Sequence, residues 1–344
     1  MDTKKHIIKL TPLGSYFFGG ENTFGEGNGK SYNYFACSET MPQVSSIIGM
    51  LRYEILRRSG ALDGHIAQGQ WHTLIGEQSF SLDNILCSDK PVAFGLISAI
   101  SPVFLCDNDG RFYTPMPLDQ GISYKKAGGR SYYSGYRRSH TVMLDNFDHK
   151  KYCNWQQWVD EKGNALPASP FIFSSRPGII KNEEFRESGN DEAYYKQEVV
   201  SLRKGLGFAF IFETPLDNKL FDCDRQCFVK LGADNSMFAM TVEPCERDFS
   251  FAKYFSALGN EDRCLLLGDA YLPTKTGTDF IWADSKNFRS ISSKTSEQHS
   301  WKLPQKSLLF HLLKPGGVVF GDKASVEKLL TMERLQRVGL NHYV

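Results

Sequence analysis

Gly14-Ser15-Tyr16-Phe17-Phe18-Gly19-Gly20 runs into a polar loop rich in glycine and asparagine. Beyond Tyr34 the chain continues Met41-Pro42-Gln43-Val44-Ser45-Ser46-Ile47-Ile48-Gly49-Met50-Leu51-Arg52. A short strand feeds a glycine loop, and the loop feeds a helix whose first residues are small and polar. Backbone N–H groups at such a place can meet an anion such as a phosphate. Val44, Ile47, Ile48, Leu51 and Ile55 recur at helical spacing and make one apolar stripe. Thr40 and Gln43 fit a capping box with Pro42 in the first turn, and Arg57 and Arg58 close the helix where its dipole favours cations. Gly49-Met50-Leu51 stands where a nucleotide P-loop would carry Lys-Ser/Thr. Gly49 is therefore expected as a close-packing point beneath a sheet. Arg52, at the edge of the stripe, reads as a surface ion pair or as a phosphate contact.

Working outward, His6 to Leu10 reads as a first strand ended near Pro12. Residues 61–90 are weakly patterned, and His65 and His72 there read as structural. Val92 to Cys106 reads as a strand interrupted at Ser101-Pro102, followed by an Asn108-Asp109-Gly110 turn and a returning strand at Arg111-Phe112-Tyr113. Gly207 to Thr214 is simply apolar and reads as a strand buried on both faces. Phe228 to Gly232 and Met237 to Val242 form a strand pair about Ala233-Asp234-Asn235. Phe249 to Leu258 reads as helical and Arg263 to Leu272 as a strand. Residues 284–300 look like an exposed polar insertion. Leu308 to Leu313 and Val318 to Gly321 are strands about Lys314-Pro315-Gly316-Gly317, and Ala324 to Arg337 is a final helix.

The chain has 344 residues, 41% hydrophobic and 23% charged, with a formal net charge of +1. That length fits about two domains. Near-neutral charge argues against a generally basic nucleic-acid binder, so any basic surface must be local. Lys125-Lys126-Ala127-Gly128-Gly129-Arg130-Ser131-Tyr132-Tyr133-Ser134-Gly135-Tyr136-Arg137-Arg138 is such a place. It carries cations, tyrosines and glycines and no acid, a mixture suited to phosphates and stacked bases as well as to a solvated hairpin. The eight cysteines have no repeated spacing. Cys223 and Cys227 lack two further ligands at zinc spacing. No metal and no cofactor is expected, and reduced thiols with no apolar run of membrane length point to a cytoplasmic protein.

These segments, taken in order, resemble the RAMP superfamily of CRISPR-associated proteins, and within it the family of third subunits of type III-B Cmr effector complexes. The resemblance runs through Pro12-Leu13 with its glycine loop and the Pro-x-x-Ser-x-x-x-Gly-x-Leu-Arg pattern at Pro42 to Arg52. It continues through Ser101 to Leu105, the Asp109-Gly110 turn, Tyr113 to Asp119, and Arg176 with Gly178-Ile179. It ends in the late turn at Lys314 to Val319 and the tail at Gly339 to Tyr343. One departure is at Leu231-Gly232, where the family often carries Leu-Gly-Gly followed by an acid and an Arg, and this chain has Ala233-Asp234-Asn235-Ser236.

The resemblance implies an α+β fold of two tandem ferredoxin-like (RRM-like) βαββαβ domains with loop and hairpin insertions, divided here as residues 1–190 and 191–344. It implies a non-catalytic subunit that helps grip the 5′ tag of the CRISPR RNA. The expected partners are that RNA, a large polymerase-like scaffold subunit and the first backbone RAMP subunit, with the target read by base pairing. The expected RNA contacts are Gly19, Gly20, Gln43, Ser45, Ser46 and Arg52. To these are added Lys125, Lys126, Arg130, Tyr132, Tyr133, Arg137 and Arg138 of the basic run, Arg176, and Lys314, Gly316 and Gly317. Two other readings compete. One is a metal-independent endoribonuclease using His140 beside Tyr136 and Arg137-Arg138. The other is a protein-only scaffold that never touches RNA.

Overall fold

The computed structural model describes residues 2–24, 34–76, 80–87, 94–118, 123–127, 130–132, 135–137, 140–142, 144–145, 157–179, 194–222, 226–246, 263–274, 277–292 and 305–344. The glycine-rich loop beyond residue 24, the charged stretch 181–191 and the expected helix 249–258 lie outside them.

β1 (Thr3–Pro12) is the middle of the molecule. Its sequence puts His6, Ile7, Ile8 and Leu10 in the interior, the pattern of a strand covered on both faces. It pairs antiparallel with Leu206–Pro215 on one side, Ile8 opposite Phe210, and with Met237–Pro244 on the other, Ile8 opposite Val242. The sheet continues outward from Leu206–Pro215 through Phe104–Asp107 and Phe112–Pro115 to Trp158–Asp160, and from Met237–Pro244 to Cys227–Lys230. Taking β1, Phe104–Asp107, Leu206–Pro215 and Met237–Pro244 as strands one to four, the spatial order is 4-1-3-2, all neighbours antiparallel. That is the ferredoxin-like order, and the fold is α+β. The connection between the third and fourth strands has no helix among its described residues.

The sheet crosses the expected boundary at residue 190. Both neighbours of β1 lie beyond that point, so the central sheet draws its strands from Thr3 to Pro244, with Trp158–Asp160 at its edge and a long stretch of chain between Pro115 and Leu206. That long stretch hides this in the sequence, because strand pairing is set by partners that local pattern does not name.

Alternation sorts the two faces. Ile8, Leu10, Phe208, Phe210, Phe212, Phe238, Met240 and Val242 face α1 (Val44–Arg58), whose Val44, Ile47, Ile48, Leu51 and Ile55 are all buried against them. Each such side chain contributes roughly 1.5–3 kcal/mol on burial. On the other face Ile7, Ala209, Ile211, Phe104 and Phe112 meet Leu265, Val318 and Phe320. Those residues belong to a three-stranded sheet of Arg263–Leu265, Val318–Phe320 and Phe280–Trp282. The late turn therefore does not make a hairpin: Phe310–Leu313 pairs with Ser285–Phe288, not with Val318–Phe320. Part of the expected polar insertion is thus strand, anchored by Phe288, which is buried. The final helix is split into Lys323–Leu330 and Glu333–Gln336.

The second layer beside α1 holds β2 (Phe18–Phe24), β3 (Tyr34–Glu39) and the long hairpin Phe171–Ile179 with Tyr194–Leu202. Tyr16 ties this layer to the first. Its backbone bridges Val200, with N···O distances of 2.7 and 2.9 Å, and its buried hydroxyl donates to the Thr40 carbonyl at 3.0 Å. Gly20 sits at the bulge between β2 and β3, where a Cβ would lie 2.7 Å from the Cys37 carbonyl oxygen. A glycine is needed there for close backbone approach.

Candidate nucleic-acid interface

α1 starts later than the capping-box pattern suggests. Gln43 is its N-cap, no side chain caps the first turn, and that turn holds no acid. Thr40 and Pro42 lie outside the helix, and Thr40 instead serves as acceptor for Tyr16. The positive end of the helix dipole is left without an internal anion.

The buried stripe turns Ser45, Ser46, Gly49 and Arg52 to the opposite face, where they line a cleft of about 600 Å³. Gly19 and Gln43 join them from the loop side, the Gln43 amide reaching the Gly19 carbonyl at 3.5 Å. Five expected RNA contacts are thereby brought together: Gly19, Gln43, Ser45, Ser46 and Arg52. The facing wall is Lys230-Leu231-Gly232-Ala233, and Arg289 and Ser290 close a third side. Three cations line this cleft, and among the described residues no Asp or Glu does. Arg52 is half-buried, and its guanidinium donates to the Gly76 carbonyl at 3.3 Å. Burial lowers its pKa, but an arginine so placed remains charged. Lys230 donates to Asn235 Oδ1 at 3.0 Å.

Gly232 explains the shape of the facing wall. It has φ +86°, and a Cβ would fall 2.5 Å from the Phe17 carbonyl oxygen. Ala233 N–H donates to that same oxygen at 2.9 Å, and Phe17 N–H donates to Ser236 Oγ at 3.1 Å. The Leu231–Ser236 turn is locked onto the Tyr16-Phe17-Phe18 segment, which places Lys230 opposite α1.

Gly49 corrects the sequence reading. It is not under the sheet: it is exposed, and a Cβ built on it meets none of the described residues within 4 Å. Within a helix glycine is about 1 kcal/mol less favourable than alanine, so packing does not account for it.

The remaining expected contacts lie elsewhere. Gly316 and Gly317 are buried in the fold. Gly316 N–H donates to Leu266 O at 2.8 Å and Gly317 N–H to Lys314 O at 3.2 Å. A Cβ on Gly317 would sit 2.5 Å from that of Ala283. Their backbone is spent on internal packing and does not form a groove wall. Lys314 pairs with Glu39 at 3.7 Å and lines a small cavity of about 90 Å³ on the other side of Pro42 and Val44. Arg176 is exposed on its strand and donates to Ser15 Oγ, near the loop but not in the cleft lining. Lys125, Lys126, Arg130, Tyr132 and Arg137 lie on short strands, Ser123–Ala127, Arg130–Tyr132 and Gly135–Arg137, and their side chains lie outside the described set. The same holds for His140, while Tyr133 and Arg138 lie outside the described residues altogether.

Lys230, Arg289 and Ser290 were not singled out by the sequence. Each is an isolated polar residue beside a turn, and topology alone brings it to α1. Among the described residues no group of three or more His, Cys, Asp or Glu side chains is placed to hold a metal, and no helix is long and apolar enough to cross a membrane.

Residues 8–149 match the family described as "CRISPR-associated protein (Cas_Cmr3)". Two solved structures share the fold. A chain in the type III-B Cmr-beta complex bound to cognate target RNA aligns with 99% of this chain and 96% of its own, at 12% identity and a TM-score of 0.52. A chain in that type of complex with cognate target RNA and AMPPnP aligns over the same shares at 13% identity and a TM-score of 0.50. No curated protein matches the chain.

Proposed function

From a CRISPR-associated, RAMP-like chain whose residues 8–149 carry the Cas_Cmr3 pattern, we propose a subunit of a type III-B Cmr effector complex that binds the 5′ tag of the CRISPR RNA in the cleft along α1. The observation that carries this reading is the cleft itself: Arg52, Lys230 and Arg289 with no carboxylate, beside an uncapped helix start bearing Ser45 and Ser46. Cations and N–H groups of this kind hold phosphates without reading bases. Gln43, Ser45 and Ser46 add neutral donors and acceptors for ribose and base edges. In this reading the chain docks on the large scaffold subunit, contacts the first backbone RAMP subunit, and acts as a binder, not a nuclease.

The test is binding of a 5′-tag single-stranded RNA by the full chain, alone and in the reconstituted complex, across a salt series. Three neutralised phosphates give a slope of log K against log salt of about −2, at roughly −0.7 per phosphate for a single strand. Arg52→Ala is expected to weaken binding and make that slope shallower. Salt-independent binding, or crosslinks that avoid residues 43–52, would count against it.

A further inference from the structure

Gly49 is a helix-interior glycine that the fold does not require, and it lies in the cleft floor between Ser45-Ser46 and Arg52. Arg289, carried by the turn after Ser285–Phe288, lines the third side of the same cleft. That turn is firmly seated. Phe288 meets Phe80 edge-on at 6.1 Å, and Phe80 stacks on Phe94 at 6.3 Å. Ser290 N–H donates to Ser307 Oγ at 2.9 Å. The Ser290 side chain is 4% exposed and its hydroxyl has no partner among the described residues, an unmet polar group in a wall otherwise closed by aromatic packing.

We infer that Gly49 is a positioning residue kept bare so that the sugar–phosphate backbone of an RNA strand lies directly on α1, with Arg289 holding a phosphate from the third side of the cleft. This rests on the reading of the cleft as an RNA site. A Cβ at position 49 would meet none of the described residues within 4 Å and would point into the cleft, so its effect is expected on the ligand and not on the fold. Arg289 comes from the far part of the chain, so a bound strand ties that part to α1.

Two substitutions at one position separate stability from binding. Gly49→Ala is expected to raise the melting temperature by about 2 °C, because alanine is the better helix former. Gly49→Leu is expected to melt no lower than the wild type yet to bind 5′-tag RNA about tenfold more weakly, a loss of about 1.4 kcal/mol. Arg289→Ala, well removed from α1 in sequence, is expected to weaken binding and reduce the magnitude of the salt slope by about 0.7, whereas Lys323→Ala, outside the cleft, is expected to leave both unchanged. If the wild type binds RNA in a salt-sensitive way and Arg52→Ala weakens it, while Gly49→Leu and Arg289→Ala bind as the wild type does, this inference falls and the RNA reading stands. If the wild type shows no salt-sensitive binding, the RNA reading itself falls.

Discussion

His6 is a single residue whose buried environment is expected to tie stability to pH. It is 3% exposed, and neither ring nitrogen has a hydrogen-bond partner among the described residues. Its ring packs against Phe212 and Phe221, with the Lys4–Asp222 ion pair nearby at 2.5 Å. Burial, then the Lys4 charge, lowers its pKa below 6.5, with Asp222 opposing. The folded state therefore holds a neutral imidazole, while the unfolded chain takes up a proton once the pH drops below about 6.5. Stability from this residue is fully present above that value and is lost as the pH falls through the folded pKa. His6→Phe is expected to flatten the fall in melting temperature between pH 7 and pH 5; an unchanged profile would assign the acid sensitivity to other groups. At this scale the sequence misled at Gly49, which read as a packing residue beneath the sheet, and only the open space around it tells otherwise. Lys230 and Arg289 were not singled out, because nothing in their neighbours marks them.

At the scale of the element, α1 shows what periodicity can and cannot give. The stripe from Val44 to Ile55 was legible because burial of one face is a property of the helix's own sequence. The helix start was not: it falls at Gln43, three residues beyond Thr40, whose backbone carbonyl accepts from the Tyr16 hydroxyl, a contact made through folding. The C-terminal end was half legible: Arg57 and Arg58 do sit there, and both reach the buried Glu54, at 2.7 and 3.5 Å. Gln43 offers a direct probe of the N-terminus. It has extended backbone geometry, φ −72° and ψ 146°, and caps nothing. Gln43→Asp supplies the missing acceptor and is expected to raise stability to urea by about 0.5–1 kcal/mol. The same carboxylate faces the cleft, so RNA affinity is expected to fall. Opposite movement of the two readouts is the signature; a joint loss would mean that the residue holds the fold through its 3.5 Å contact with Gly19.

On the scale of the whole molecule, the fold class was legible, but the division of the chain was not. Strand positions such as Gly207 to Thr214 follow from composition, whereas the pairing of Ile8 with Phe210 and Val242 joins segments about 200 residues apart. A cut at residue 190 removes both neighbours of β1 and the Phe208, Phe210, Phe212 and Phe238 surface that α1 covers. A fragment of residues 1–190 is therefore expected to melt without a cooperative transition by circular dichroism; a sharp transition in it would show that the N-terminal segment has a core of its own. The central position of β1 also has a consequence for synthesis. At about 5–20 residues per second, a ribosome that has just released Thr3 needs on the order of 10–40 s before Leu206 appears. The first strand and its helix must wait that long with their apolar faces uncovered. The nascent chain is thus a natural client for chaperones, and a cell making the protein faster than they can shield it will find it aggregated through its own earliest residues.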